Sequence, residues 1–404
     1  MCKGFTGWAA WDTARFHTIG DFLVTCVSNE LLNRARQAKA WMLDAAFPFW
    51  AERAAHPEVG FHEALDLQGE AVDAPSSRVR VQARQTYCFA LAQLLGWDKK
   101  RSSDLVAYGV QTLRDHCRRG DGLYGQHMSH QGGLSDDTAL LYDTAFALLG
   151  LSFAARIGAA DAAGAMVDVS NSIEVHLARP LDQEGYGESL PHPQDRNQNP
   201  HMHLFEASLA QYEVSGDADI MARAAELEGL MRRRFYSAEV SGLRERFAGD
   251  WGAHTDDHFE TGHQYEWVWL LQHRARLTGQ AAPQVTWQLY DKAMSLTGGG
   301  GEVYLEHHQD GAVRSGLQRC WGLTEALKAH LVQYDTGDEA AGPRAVAAFD
   351  RLWSLHIAPA IEGGWIDRYD AQGQALSTDM PASTGYHVFL AFAELERVAM
   401  QLRS

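Results

Sequence analysis

Apolar residues recur at i, i+3, i+4 and i+7 along most of the chain, and runs of β-branched residues are rare. This period is typical of α-helices. Several segments, such as LYDTAFALLGLSFA and YEWVWLLQH, are apolar on nearly all faces, which indicates buried helices. The first segment has Asn29 in position to cap it. The twelve predicted helices span 29–53, 79–96, 102–118, 137–157, 161–179, 201–214, 218–236, 257–278, 284–297, 317–334, 343–357 and 384–402.

A phrase that begins with glycine occurs six times between these helices. It carries a large apolar residue and an acidic or amide residue, as in GFHEALDLQGEA and GWIDRYDAQGQA. The copies lie 57 to 63 residues apart, a period that indicates six similar structural units. They start at Gly60, Gly122, Gly185, Gly242, Gly301 and Gly364.

Two helices in each of six units predict an all-α fold, the (α/α)6 barrel, in which six buried inner helices are wrapped by six outer ones. Each glycine phrase leads into an inner helix, so we expect short β-hairpins at one mouth of the barrel. Residues 29–404 are predicted to form this single domain, and residues 1–28 an N-terminal extension. The chain is expected to be a monomer or a homodimer.

Composition narrows the possible partners. The 404 residues carry a formal net charge of −17, which disfavours nucleic acid and anionic membranes as partners. No apolar run approaches the roughly 20 residues of a membrane helix. The start of the chain lacks the long apolar region of a signal peptide. Odd, scattered cysteines fit buried thiols in a reducing compartment, so we expect a cytoplasmic protein. The cysteines are Cys2, Cys26, Cys88, Cys117 and Cys320.

Polar residues interrupt the predicted inner helices near their starts. One per helix recurs at intervals of 58 to 66 residues, and parallel inner helices would bring residues of equal phase to the same end of the barrel. Any one of them is more often a core residue. Together they favour a small-molecule site, because burying several charges without a function is costly. The candidates are Arg84, Tyr142, Asn199, His203, His263, Glu266, Trp321, Glu325 and His387.

Other groupings give weaker signals. The HTDDH segment at 254–258 suggests a metal, but it lies where Asp and Thr commonly cap helices. His201 and His203 are two residues apart, so they face different directions on a helix. No nucleotide-binding or metalloprotease motif is present. We therefore expect no metal and no cofactor. Trp321 and Trp365 lie where a stacking platform for a sugar would be useful.

The inner-helix motifs resemble those of the N-acylglucosamine 2-epimerase superfamily, which also contains cellobiose 2-epimerases and aldose–ketose isomerases. The resemblance covers residues 29–402. The quoted motifs are VQARQTYCFA, LYDTAFALLGLS, NPHMHLFEA, GHQYEWVWLL, RCWGLTEALKA and PASTGYHVFLAF.

The resemblance implies an (α/α)6 barrel and assigns roles. His263 and His387 correspond to the acid/base histidines, and the other seven candidates match substrate-binding or supporting positions. The segment Pro381–Thr384 lacks the tryptophan that cellobiose epimerases carry before the last histidine, so the chain is most similar to the mannose isomerase branch.

The expected reaction is therefore the interconversion of D-mannose and D-fructose, with D-lyxose and D-xylulose as a second pair. After ring opening, His387 would move a proton between C2 and C1 through a cis-enediolate. His263 would act at the ring oxygen and carbonyl, with Glu266 and Glu325 orienting the histidines. Arg84 would stabilise the enediolate charge.

Three alternatives stay open. A 2-epimerase acting on mannose/glucose or on N-acylglucosamine/N-acylmannosamine would use the same histidines and differ only in where the proton is returned. An (α/α)6 glycoside hydrolase would need two opposed carboxylates, for which Glu266 and Glu325 qualify. A sugar-binding barrel without catalysis is the third.

Overall fold

A computed structural model describes residues 13–179, 183–192 and 195–403, with side chains from residue 26 onward. Thirteen α-helices run through these residues, and they match the twelve predicted segments because α1 and α2 form one of them. The helices are α1 Thr13–Trp41, α2 Phe47–Arg53, α3 Val79–Leu94, α4 Lys99–Thr112, α5 Leu141–Arg156, α6 Ala162–His176, α7 Gln198–Ser215, α8 Ala218–Leu230, α9 Thr261–Thr278, α10 Val285–Leu296, α11 Cys320–Asp335, α12 Ala341–Leu352 and α13 Gly385–Gln401.

The first predicted helix starts at the wrong residue. Helix α1 begins at Thr13 and continues through a π-helical turn, Met42–Ala46, into α2. Asn29 therefore lies inside a helix and does not cap one. The helix also runs through the predicted boundary between the extension and the barrel, so that division stays a prediction. Similar π-helical turns, Leu113–Cys117, Met231–Phe235 and Trp353–Ile357, extend α4, α8 and α12.

The helices form the predicted (α/α)6 barrel. The inner ring consists of α3, α5, α7, α9, α11 and α13, each in contact with the next, and α13 closes the ring against α3. Every outer helix from α4 to α12 packs on the inner helix before it, and α1 packs on α13. Leu148, Trp267 and Leu327 are fully buried, one on each of three inner helices. This explains why the inner sequences are apolar on all faces.

Short strands at one mouth connect the units, as predicted. A strand immediately precedes every inner helix except α13, where the 3-10 turn Ala382–Thr384 follows the strand. The largest sheet has the order β11-β12-β13-β14. The strands are β1 Ala64–Asp66, β2 Ser76–Arg78, β3 His127–Ser129, β4 Leu134–Asp136, β5 Ala139–Leu140, β6 Ser189–Leu190, β7 Arg196–Asn197, β8 Tyr236–Ser237, β9 Gly242–Leu243, β10 Arg246–Phe247, β11 Phe259–Glu260, β12 Tyr304–His307, β13 Val313–Arg319, β14 Arg368–Tyr369 and β15 Asp379–Pro381.

The glycine phrases hold these connections to the inner ring. Four of the six glycines adopt a left-handed conformation, including Gly60 with φ of 79°. In the other two copies the left-handed residue comes one position earlier, at Ser241 and Gly363. A Cβ at Gly60 would lie 2.6 Å from Oε1 of Gln82, whose amide group bonds both backbone groups of Phe61. The repeat is therefore a backbone turn fixed to the following inner helix.

Two further expectations from the sequence concern the cysteines and membrane-spanning helices. Cys88, Cys117 and Cys320 are buried thiols as expected, whereas Cys26 is exposed, and Cys2 lies outside the described residues. Among the helices described, none is both long enough and apolar enough to cross a membrane.

Candidate active site

The predicted polar residues do meet at one end of the barrel. They lie in the first two turns of the inner helices, around a cavity of about 1080 Å³ that opens at the hairpin mouth. Eight of the nine line this cavity. Glu325 does not, because it is fully buried behind His387. The eight are Arg84, Tyr142, Asn199, His203, His263, Glu266, Trp321 and His387.

His387 is positioned as a base. Its Nδ1 lies 2.8 Å from Oε1 of Glu325. When Glu325 is ionised it can only accept a hydrogen bond, and Nδ1 then carries the ring proton. Burial, together with the nearby charges of Arg84 and Lys328, lowers the pKa of His387 well below its usual value. A neutral imidazole protonated at Nδ1 keeps the Nε2 lone pair free to accept a proton.

His263 has the opposite character. Its Nδ1 lies 3.0 Å from Oε2 of Glu245 and 3.6 Å from Glu260. Burial opposes its charged form, but these two carboxylates outweigh burial and raise the pKa of His263 well above its usual value. The amide group of Gln198 also donates to Glu245 and accepts from the Trp267 indole. His263 is therefore held as an imidazolium that can donate a proton.

Trp321 lies between the two histidines. Its ring centroid is 5.2 Å from that of His263 and 5.8 Å from that of His387. The indole packs against Gly262, where a Cβ would lie 2.1 Å from Cζ3. Only glycine at 262 lets the indole occupy this position. Trp321 thus offers an apolar surface next to both titratable groups, as a ring-stacking platform requires.

Arg84 is a buried cation with no carboxylate partner in the described chain. Its guanidinium donates to the Tyr142 hydroxyl at 3.0 Å and to the carbonyl of Ser383 at 3.3 Å, and it packs 3.9 Å from the Phe146 ring centroid. Such a group attracts negative charge that develops in the cavity.

A second histidine–carboxylate pair lies beside Arg84. His203 Nδ1 is 3.1 Å from Oε2 of Glu206, and burial lowers the pKa of His203 to about 4. The Tyr386 hydroxyl donates to the other oxygen of Glu206. Burial opposes ionisation of Glu206, but His203 lowers its pKa overall. His203 is thus neutral, and its role is to bind or orient.

Two further polar groups of the cavity keep unused atoms. Oδ1 of Asn199 and Oε1 of Glu266 are buried without hydrogen-bond partners in the described chain. Burial, and next the charge of Glu325, raises the pKa of Glu266 well above its usual value. A protonated Glu266 and the amide of Asn199 are both suited to bond sugar hydroxyl groups.

Some expectations do not survive. Trp365 is fully buried and stacks on Trp50 at 4.5 Å, so it belongs to the core and offers no platform. His263 is bonded by Glu245, which sequence reasoning missed, whereas no bond joins it to Glu266. Glu325 bonds Nδ1 of His387, which is the contact that the predicted orienting role requires, but it does not line the cavity.

Three His/Glu groupings place possible ligand atoms within 4.8 Å of one another, around His203, His263 and His387. In each of them the histidine Nδ1 is already bonded to a carboxylate. These hydrogen bonds account for the three groupings, and the absence of a metal stays a prediction. His201, of the predicted weak motif, bonds backbone groups of Tyr186 and Asn197 and is structural.

The fold and the cavity define a class: (α/α)6 barrels whose inner-helix N-termini surround a polar cavity at one mouth. The family model for N-acylglucosamine 2-epimerase (GlcNAc 2-epimerase) matches residues 60–391, and the chain belongs to this family. The relatives of the chain are sugar isomerases and epimerases.

Similar proteins support this placement along most of the chain. A protein named mannose-6-phosphate isomerase from Rhizobium meliloti (strain 1021) is 34% identical over 388 residues, covering 90% of this chain and 97% of that protein. A cellobiose 2-epimerase from Bacteroides fragilis is 25% identical and covers 85% and 93%. A crystal structure of D-mannose isomerase superposes with a TM-score of 0.81 at 21% identity, covering 88% and 96%, and shows the same fold.

Proposed function

We propose that the protein is an aldose–ketose isomerase that interconverts D-mannose and D-fructose, with D-lyxose and D-xylulose as a second substrate pair. The observation that carries the proposal is that His263, paired with Glu245, and His387, paired with Glu325, both lie next to the Trp321 ring, and that their surroundings shift their pKa values in opposite directions. Moving a carbonyl from C1 to C2 requires one group that removes a proton from carbon and another that protonates oxygen.

In this mechanism, the His263 imidazolium protonates the ring oxygen as the sugar opens, and the C1 hydroxyl returns a proton to His263, which leaves the open-chain aldehyde. Nε2 of His387 then takes the proton from C2, and electrons shift into the carbonyl to form a cis-enediolate. Arg84 would stabilise the negative charge of the enediolate, as the donors of an oxyanion hole do. It is suited to this because it is a buried donor with no carboxylate partner in the described chain. His387 returns the proton to C1, while His263 delivers a proton to O1 and takes the proton of the C2 hydroxyl, so that O1 becomes a hydroxyl and O2 the ketone.

The charge of the cavity favours a neutral sugar over a phosphorylated one. Six of the seven arginines that line it lie within 4 Å of a carboxylate in the described chain, and only Arg84 does not. A phosphate group at the mouth would have to displace those carboxylates. The second candidate substrate is nonetheless mannose 6-phosphate, which the name of the Rhizobium relative suggests.

A single experiment separates these substrates and outcomes. The protein is incubated in D₂O with D-mannose, and in parallel with D-mannose 6-phosphate, while products are followed by NMR. We expect fructose with deuterium at C1 and a higher kcat/KM for the free sugar. Glucose as the first product would identify a 2-epimerase instead, and turnover of the phosphate alone would reverse the substrate assignment.

Loss of the base provides the control. His387→Ala is expected to abolish deuterium incorporation. The variant should still unfold in one cooperative thermal transition, as a folded protein does. If neither sugar exchanges a proton with the wild-type protein, the isomerase and epimerase assignments both fail. The remaining alternative of a binding barrel would then be tested by titrating mannose into the same sample.

A further inference from the structure

Lys328 is a fully buried cation that the proposed proton transfers do not use. It lies on α11, one turn after Glu325, and its Nζ is 2.7 Å from Oε2 of that residue. On its other side, Nζ is 4.1 Å from the centroid of the Trp269 ring. It does not line the cavity. Since burying an ammonium group is costly, its position calls for a physical reason.

The contacts form a line that ends at the proposed base. Lys328 pairs with one oxygen of Glu325, and the other oxygen of Glu325 bonds Nδ1 of His387 at 2.8 Å. Glu325 thus links the cation to the imidazole, and it has no exposed surface. Whether Glu325 is a carboxylate or a carboxylic acid decides which nitrogen of His387 carries the proton.

We propose that Lys328 is a positioning residue that holds Glu325 as a carboxylate and thereby fixes His387 in the tautomer protonated at Nδ1. This inference rests on the proposed proton transfer by His387. A carboxylate accepts the Nδ1 proton and leaves the Nε2 lone pair available. A protonated Glu325 would instead donate to Nδ1, the ring proton would move to Nε2, and the base would have no lone pair for the C2 proton.

The carboxylates around Lys328 indicate that the cation opposes protonation of Glu325. Glu266 from the neighbouring helix α9 and Glu206 from α7 also act on Lys328. Glu266 forms no ion pair within the described chain, and burial raises its pKa well above the usual value. Burial also raises the pKa of Glu325, but Lys328 opposes the shift. Without the cation, Glu325 would follow Glu266 and take up a proton.

The groups that face His387 set the direction of the pH effect. Glu325 contacts it directly, and Glu266 on α9 lies within 4.8 Å of it. Arg84 faces it from α3, and His203 and Glu206 face it from α7. Arg84 and Lys328 both disfavour the imidazolium, so loss of Lys328 would by itself ease protonation of His387. Loss of Lys328 would thus favour protonation of Glu325 and protonation of His387. Each of these removes the Nε2 lone pair of His387 at low pH, and each is reversed as the pH rises.

The test compares wild type with Lys328→Met, which keeps the unbranched side chain as far as Cε and removes the ammonium group. Nitrogen-15 NMR of the imidazoles reports which nitrogen of His387 carries the proton, with His387→Gln used for assignment. We expect Nδ1–H in the wild type near neutral pH and a shift toward Nε2–H or the imidazolium in Lys328→Met. Wild type protonated at Nε2 would overturn the proposal even if the variant did not fold.

Kinetics supply the second readout. We expect kcat of Lys328→Met for mannose isomerisation to fall by about 10²-fold or more with little change in KM, because Lys328 does not reach the substrate. The loss should shrink as pH rises, since Glu325 ionises above its pKa and restores the tautomer. A loss of equal size at all pH values, with the wild-type tautomer retained, would mean a purely structural role and refute the proposal.

Two further variants complete the design. Lys328→Gln can still donate to Glu325 without a charge, and we expect it to resemble Lys328→Met; wild-type behaviour would show that the charge is not needed. Lys292→Met is the matched control, because Lys292 also packs over an aromatic ring, 4.3 Å from Phe259, and also lies outside the cavity, yet it forms no ion pair within the described chain. Its kcat and the His387 tautomer should not change. If the wild type turns over no sugar, the proposed function fails, whereas the tautomer experiment still decides the role of Lys328.

Discussion

Gly262→Ala tests whether Trp321 must lie between the two histidines. The added Cβ would be 2.1 Å from Cζ3 and 2.5 Å from Cη2 of the indole, whereas ordinary contacts begin at 3.4 Å. The rigid indole must therefore move by roughly 1 Å, away from α9 and relative to His263 and His387. A misplacement of about 1 Å in a catalytic site can cost roughly 10²-fold in rate. Overpacking costs about 1–3 kcal/mol of stability.

We expect kcat/KM for mannose isomerisation to fall by about 10²-fold while the protein stays folded. Gly164→Ala is the matched control: Gly164 is exposed on α6, and a Cβ added there would meet nothing within 4 Å, so this change should leave activity intact and raise stability by about 0.5–1 kcal/mol. In a Trp321→Phe background, Gly262→Ala should reduce activity much less, because phenylalanine lacks the indole atoms Cζ3 and Cη2 that the added Cβ would meet. Equal costs in both backgrounds, or no loss of activity in Gly262→Ala, would refute the reasoning.

The remaining predictions concern protonation, the core and metals. The pH profile of kcat/KM should have its acidic limb below, and its basic limb above, the ordinary histidine pKa of about 6.5, because His387 must be neutral and His263 protonated. Glu245→Gln removes a carboxylate that raises the pKa of His263, so kcat/KM at neutral pH should fall by about 10²-fold and the basic limb should move to lower pH; an unmoved limb would contradict the assignment. Trp365→Phe should lower the free energy of unfolding by about 1–3 kcal/mol through lost stacking on Trp50 while KM stays unchanged. Activity should persist after dialysis against EDTA, and loss that added metal restores would contradict the expectation of no metal.

The repeat made the fold and most of the cavity predictable from sequence. A period near sixty residues fixes where each inner helix begins, and parallel helices of equal phase bring Arg84, His263 and His387 to one mouth. That inference needs only helix geometry, and the cavity confirms that these residues meet. The start of α1 was not predictable in the same way, because residues before the first unit follow no period.

The direction in which a side chain points was harder to predict from the sequence than its position along the chain. Trp365 lies beside a glycine phrase at the mouth, but its ring turns into the core against Trp50. Glu245 was missed because it belongs to a connecting loop, where no helical period indicates which way a carboxylate faces. Lys328 did leave a signal: a lysine within the apolar segment TEALKAHLV has no place in an inner helix unless it is paired.

The different roles of His263 and His387 come from their neighbours and not from the repeat. Both occupy the third residue of an inner helix, so the repeat alone makes them equivalent. The carboxylates of Glu245, on a loop, and Glu260, on β11, lie close to His263 and favour its imidazolium form. His387 faces the cations Arg84 and Lys328, which disfavour it. In the proposed mechanism, a symmetric scaffold therefore provides an acid at one position and a base at the other through charges that lie outside the equivalent positions. A change in those charges, with both histidines intact, should alter how proton transfer is shared between the two sides.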